Sequence, residues 1–346
     1  MKPRFSDEGE QDLCLWIHGW GVSADIWRTA AESFPQFEHH YVSFRHCQSA
    51  EQLINTVQLL PQIAAAGRNR RRFHVIGWSL GGMLTIDAAE RWLSAWALNQ
   101  DSKGNDAQQN RTTTDRTTTD RTDTDVGMLS GCSYMEDAVT PDSSRTITSE
   151  SVGNMVNLEL ELISVILVGS TLSFIDDTGA AGWPKRIVKR MRSRLLQAPD
   201  SVLHDFKAKF WSASELGDSG LQPISGLCQH HLLAATDFSL AGLDAGLAYL
   251  LQADLHRAWM RLRNTNIPVL WLHGAEDPLC PLGAQAHAAA YQGRGNLTSR
   301  VLVSAGHAPF LTARDCWNEE LYAWFQDLNV RKEGEQPEST SAFSIP

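Results

Sequence analysis

The sequence predicts an α/β fold: a mostly parallel central sheet with helices on both faces and a helical cap. Short apolar runs recur along the chain and are bounded by glycine or proline turns. Helical spacing follows most of them, which is the pattern of a parallel sheet covered on both faces. One long stretch, 172–262, is mostly helical in pattern, with Pro, Gly and Trp punctuation, and lies between two such runs.

Residues 13–17, LCLWI, read as a buried strand entering the turn His18-Gly19-Trp20-Gly21. Residues 73–77, FHVIG, read as a second strand, and 83–98 carry apolar positions at helical spacing. Composition then changes. Residues 111–125 read RTTTDRTTTDRTDTD, a tract too polar to offset its ordering entropy. Residues 100–157 are therefore expected to be a disordered insertion. Strand runs return at 163–169, 268–273 and 300–304, and the last helix is expected at 314–328. The core is thus 12–98, 163–171 and 264–328, with 172–262 as the cap and 330–346 as a flexible tail.

At 346 residues and 42% hydrophobic, with 12 Trp and 12 Phe, the chain can bury a core without disulfides. A net charge of −10 argues against nucleic acid as a partner. Six scattered cysteines form no C-x-x-C pair, so no zinc or redox motif is indicated. The polar N-terminus lacks a signal-peptide core, and no apolar run is long enough to span a membrane. A cytoplasmic monomer without metal or organic cofactor is the expectation.

Chemistry enters at Gly77-Trp78-Ser79-Leu80-Gly81, a G-x-S-x-G pentapeptide set between a strand and a helix. A serine hydroxyl needs a base to become a nucleophile. On such a sheet the acid and then the histidine follow at the ends of later strands. Asp277 in HGAEDPLCP and His307 in SAGHAPF hold those places. Asp254 is the rival acid. The Leu80 and Trp20 amides are the candidate oxyanion donors, with Gly19 shaping their turn and His18 in a structural role. Trp20 and Trp78 are either core aromatics or, since both flank the nucleophile, candidates to line an acyl pocket. His273 and the pair His230-His231 lack metal-ligand spacing and read as structural.

Residues 183–194, WPKRIVKRMRSR, hold six cations and no acid. On a helix Arg186, Lys189 and Arg190 share a face flanked by Lys185 and Arg192, while Ile187, Val188 and Met191 should point inward. This is either a solvated face or a docking surface for an acidic partner.

The stretches LWIHGWGVSADIW, VIGWSLGGM, GLAYLLQADLHRAWMRLRNTNIPVLWLHGAEDPLCP and SAGHAPFL resemble the pimeloyl-[acyl-carrier protein] methyl ester esterases of biotin synthesis. The resemblance covers about 12–98 and 163–326. It implies the α/β-hydrolase fold and hydrolysis of the methyl ester of pimeloyl-acyl carrier protein. It also implies docking of the acidic carrier on cap cations, for which Lys185, Arg186, Lys189 and Arg190 are the candidates. A broad short-chain esterase or thioesterase of the same fold is the alternative. Two segments depart from the family. Residues 41–50, YVSFRHCQSA, lack its aspartate-proline-glycine pattern, and the insertion is foreign to it.

Overall fold

A computed structural model describes residues 11–66, 70–109, 159–216, 236–334 and 344–345. Six parallel strands form the sheet: β1 (Leu13–Ile17), β2 (Glu38–Tyr41), β3 (Arg70–Trp78), β4 (Glu159–Val168), β5 (Val269–Gly274) and β6 (Leu297–Leu302). Their order is β2-β1-β3-β4-β5-β6. A short β7 (Ser344–Ile345) pairs antiparallel with the start of β4. The four central strands are the apolar runs, and every residue of β1 and β5 is buried. Such runs are what a strand covered on both faces requires.

The edges differ from expectation. β2 reads EHHY and has no apolar run; its His39 Nδ1 instead accepts the Trp16 indole N–H at 3.0 Å. β6 begins three residues before the expected 300–304, because an edge strand tolerates the polar LTSR. Val303, expected in that strand, is 81% exposed.

The long helices are α1 (Ala50–Ala64), α2 (Leu80–Gln109), α3 (Lys185–Leu195), α4 (Pro199–Lys207), α5 (Leu240–Gln252), α6 (His256–Arg263) and α7 (Arg314–Gly334). The chain steps one way from β1 to β2 and the other way from β2 onward. Right-handed connections therefore fall on opposite faces of the sheet. On one face the β1–β2 connection packs on α7 through Trp27–Trp317 and Phe34–Phe325. On the other, α2 meets α1 through Arg91–Glu51 and α6 through Arg261–Glu90.

Helix α2 continues to Gln109, into the polar tract where an insertion was expected from residue 100, and β4 starts at Glu159. Residues 110–157 of that expected insertion lie outside the described residues, as do 1–10, His230, His231 and, in the expected tail, 335–343 and 346. The tail residues 330–334 belong to α7. Among the described residues no helix is long and apolar enough to cross a membrane.

Between β4 and β5, residues 172–184 form a loop closed by an Ile175–Trp183 bridge, and α3 to α6 come after it. The cap is seated on the core through glycine. A Cβ on Gly246 of α5 would lie 2.5 Å from Trp20 Cδ1, and the Trp20 indole donates to the Leu243 carbonyl at 2.9 Å.

Candidate active site

Ser79 is the single residue between the end of β3 and the start of α2. Its φ is 56°, a left-handed conformation that costs a non-glycine residue about 1–3 kcal/mol. Backbone bonds hold it there. Its N–H donates to Val168 O at 2.9 Å, and its carbonyl accepts from Gly82 N at 3.0 Å and Ser170 Oγ at 3.2 Å. Both glycines of the pentapeptide are required by space. A Cβ on Gly77 would sit 2.6 Å from Gly81 O, and one on Gly81 would sit 2.3 Å from Ile17 O. The turn thus presses α2 onto the end of β1. Leu80 opens α2, so its N–H has no partner within the helix and belongs to the positive end of its dipole.

Asp277 and His307 come after the ends of β5 and β6, and both are buried. Asp277 Oδ2 lies 2.8 Å from His307 Nδ1. Its Oδ1 accepts from Leu279 N at 2.9 Å and Cys280 N at 2.8 Å. A carboxylate so bonded fixes the proton on Nδ1 and leaves a lone pair on Nε2. Nε2 is buried and has no hydrogen-bond partner among the described residues. Gly169, at φ 47°, lets β4 end against this pair; a Cβ there would lie 3.1 Å from Asp277 Oδ2. Ser79, Asp277 and His307 thus follow the carboxyl ends of β3, β5 and β6, the end of the sheet where an open α/β fold forms its site.

The turn after β1 abuts the serine, since a Cβ on Gly19 would lie 3.2 Å from Ser79 Cβ. His18 shapes that turn: its Nδ1 is 2.9 Å from Gly19 O, and its ring lies edge-on to Phe44 and Phe238, which stack on each other. Burial lowers its pKa, and Asp237, 4.0 Å from its Nε2, pulls the other way. Asp237 also accepts the Ala24 N–H at 2.9 Å. No pattern in the sequence marks it.

Trp78 is fully buried against Trp27, Phe210 and Phe310, and its indole N–H donates to His307 O at 2.8 Å. Trp20 is also buried, edge-on to Phe206 of the cap. Asp254 is at the surface, 2.5 Å from His256 Nδ1, and is not the partner of His307. His273 is held by backbone and indole: its Nε2 lies 2.6 Å from Cys280 O and 3.7 Å from Asp277 Oδ2, its Nδ1 accepts from the Trp271 indole at 3.3 Å, and burial lowers its pKa. Among the described residues no group of three or more His, Cys, Asp or Glu is placed to hold a metal ion.

On α3, Lys185, Arg186, Lys189 and Arg190 are exposed and have no acidic partner among the described residues. Arg192 is committed to Asp244 of α5 in a bidentate pair at 2.6 and 2.7 Å. Val188 is buried as expected, but Ile187 is 44% exposed. The reason is a groove of about 490 Å³ between α3 and α4, to which Ile187, Met191 and Phe206 lend apolar walls and Arg186, Arg190 and Lys209 a basic rim.

Comparison with known proteins agrees with this architecture. The chain is similar to the pimeloyl-[acyl-carrier protein] methyl ester esterase of Aromatoleum aromaticum, 28% identical over 194 residues, covering 52% of this chain and 74% of that protein. It is similar to the protein of the same name from Pectobacterium carotovorum, 23% identical over 92% of this chain and 95% of the other. Among solved structures, an esterase from Exiguobacterium antarcticum shares the fold, with a TM-score of 0.55 at 15% identity over 93% of this chain and 94% of that one. The model of the alpha/beta hydrolase family matches residues 14–319, and the chain belongs to that family.

Proposed function

We propose that the chain is a serine carboxylesterase that hydrolyses the methyl ester of pimeloyl-acyl carrier protein in biotin biosynthesis, through an acyl-enzyme. The observation that carries the hydrolase reading is the buried Asp277–His307 pair at 2.8 Å, at the same end of the sheet as a serine in a left-handed elbow. Ser79 Oγ attacks the ester carbonyl as His307 Nε2 takes its proton. Asp277 keeps Nδ1 protonated and stabilises the imidazolium. The oxyanion is received by the amides of Leu80 and Trp20. Collapse breaks the acyl–oxygen bond, and His307 protonates the leaving methoxide to methanol. Water, deprotonated by the same nitrogen, then cleaves the acyl-enzyme and frees the carboxylate and Ser79.

The substrate reading is supported by the names of the relatives and by the charge of the cap. Lys185, Arg186, Lys189 and Arg190 suit an acidic carrier protein, which such a surface steers and orients. No metal or organic cofactor enters these steps; pantetheine arrives with the substrate.

The test is complementation of a biotin auxotroph lacking this esterase, with wild type and with Ser79→Ala. Growth without biotin from wild type alone supports the pathway and the nucleophile together. Absence of growth from a well-expressed wild type whose Ser79 reacts with a fluorophosphonate would discard the biotin assignment and leave the broad esterase or thioesterase.

A further inference from the structure

We infer that Glu215 of the cap is a positioning residue for His307, so that a cap seated on the core is what holds the base in place; this rests on the serine-hydrolase reading above. Residues 212–215 read S-A-S-E and form a capping box around the one-turn helix Ala213–Leu216. The Glu215 N–H donates to Ser212 Oγ at 3.1 Å, and the Ser212 N–H donates to Glu215 Oε2 at 2.7 Å. The box uses only one carboxylate oxygen. The other, Oε1, accepts the N–H of Gly306 at 2.8 Å, from the residue immediately before His307.

Nothing in a capping box calls for that second bond. It is one of three that hold consecutive backbone groups at the base. The His307 N–H donates to Phe210 O at 2.9 Å, also on the cap, and the His307 carbonyl accepts from the Trp78 indole. Two of the three anchors therefore come from the cap and one from the core. Position 306 is glycine because the cap backbone comes so near: a Cβ there would lie 2.7 Å from Phe210 O and 2.8 Å from Ser212 N. Phe210 completes the seat, its ring centroid 5.6 Å from that of His307. A charged acceptor makes the stronger kind of hydrogen bond, and the loop it holds carries a ring whose placement sets the proton transfer. An isolated turn of four residues has no stability of its own, so the bond to Gly306 also ties that turn to the core.

The test compares Glu215→Ala, Glu215→Gln and Ser212→Ala with wild type on a small p-nitrophenyl ester. Each is read as kcat, KM and the rate of fluorophosphonate labelling of Ser79, with thermal melts monitoring folding. Ser212→Ala breaks the local box but keeps the bond to Gly306, and should hold kcat within about threefold. Glu215→Ala should lower kcat by about 10- to 100-fold with KM little changed, and slow labelling equally. Glu215→Gln has one acceptor for two N–H donors and should fall between, a graded result that survives if the alanine variant misfolds. Equal kcat in Glu215→Ala and Ser212→Ala, a rise in KM alone, or a Glu215→Gln indistinguishable from wild type would overturn the inference. A wild type that neither labels at Ser79 nor hydrolyses the ester would instead overturn the hydrolase reading, and this inference with it.

Discussion

Replacing Asp277 by Asn removes a charge and almost no volume, and the bonds around the side chain decide its effect. Oδ1 sits under two backbone donors, Leu279 N and Cys280 N, and Oδ2 faces His307 Nδ1. The asparagine oxygen must stay under the two N–H groups, since an NH2 there would oppose two donors. The NH2 is then turned to His307 and can only donate. Nδ1 becomes the acceptor, the ring proton moves to Nε2, and the ring loses the lone pair that receives the Ser79 proton. Inverting this tautomer in a serine triad costs about 10⁴-fold in kcat. That is about 5.4 kcal/mol at roughly 1.36 kcal/mol per decade. The assay is kcat on a p-nitrophenyl ester at pH 8, with circular dichroism to verify the fold. A loss below about 100-fold in a natively folded Asp277→Asn protein would refute the assignment of this carboxylate.

Three further outcomes rest on the same geometry. Gly81→Ala places a Cβ 2.3 Å from Ile17 O and 2.7 Å from His18 O, both backbone atoms, and should cost about 1–3 kcal/mol or more in chemical denaturation. Burial lowers the pKa values of His18, His39, His74 and His273, so the unfolded chain binds their protons first. Stability is full above the ordinary imidazole range, about 6.5, and falls as pH drops below it; denaturant midpoints at pH 8 and pH 5 read this, with Asp87, raised by burial, acting in the opposite sense. Charge reversal at Arg186 and Arg190 should lower kcat/KM on the carrier-bound ester by about tenfold or more, increasingly at low salt, and leave a small ester unaffected.

The central strands are legible in the sequence because LCLWI and ISVILV are apolar on both sides, the mark of burial in a parallel sheet. β2 is not, because an edge strand reading EHHY satisfies its polar side chains through neighbours such as Trp16 and needs no apolar run. Ser79, Asp277 and His307 can be picked out because the chemistry ties each to the turn after a strand. The surroundings of Trp78, which are Trp27, Phe210 and Phe310, come from three distant segments, and no spacing in the sequence announces them. Ile187 departs from its expected burial because the α3–α4 groove arises only when two helices lie side by side. The capping box at Ser212 and Glu215 is visible in sequence, but its bond to Gly306 spans 91 positions and is a product of tertiary structure alone.

The most direct measurement is methanol release from purified pimeloyl-acyl carrier protein methyl ester by the full-length protein, beside Ser79→Ala. Expected are turnover by the wild type, loss of turnover in the variant, and, when the reaction is quenched early, a covalent adduct of Ser79 with the pimeloyl group still joined to the carrier protein. Turnover that survives in Ser79→Ala would contradict the proposed function, as would a wild type active on small esters and inert on the carrier-bound one.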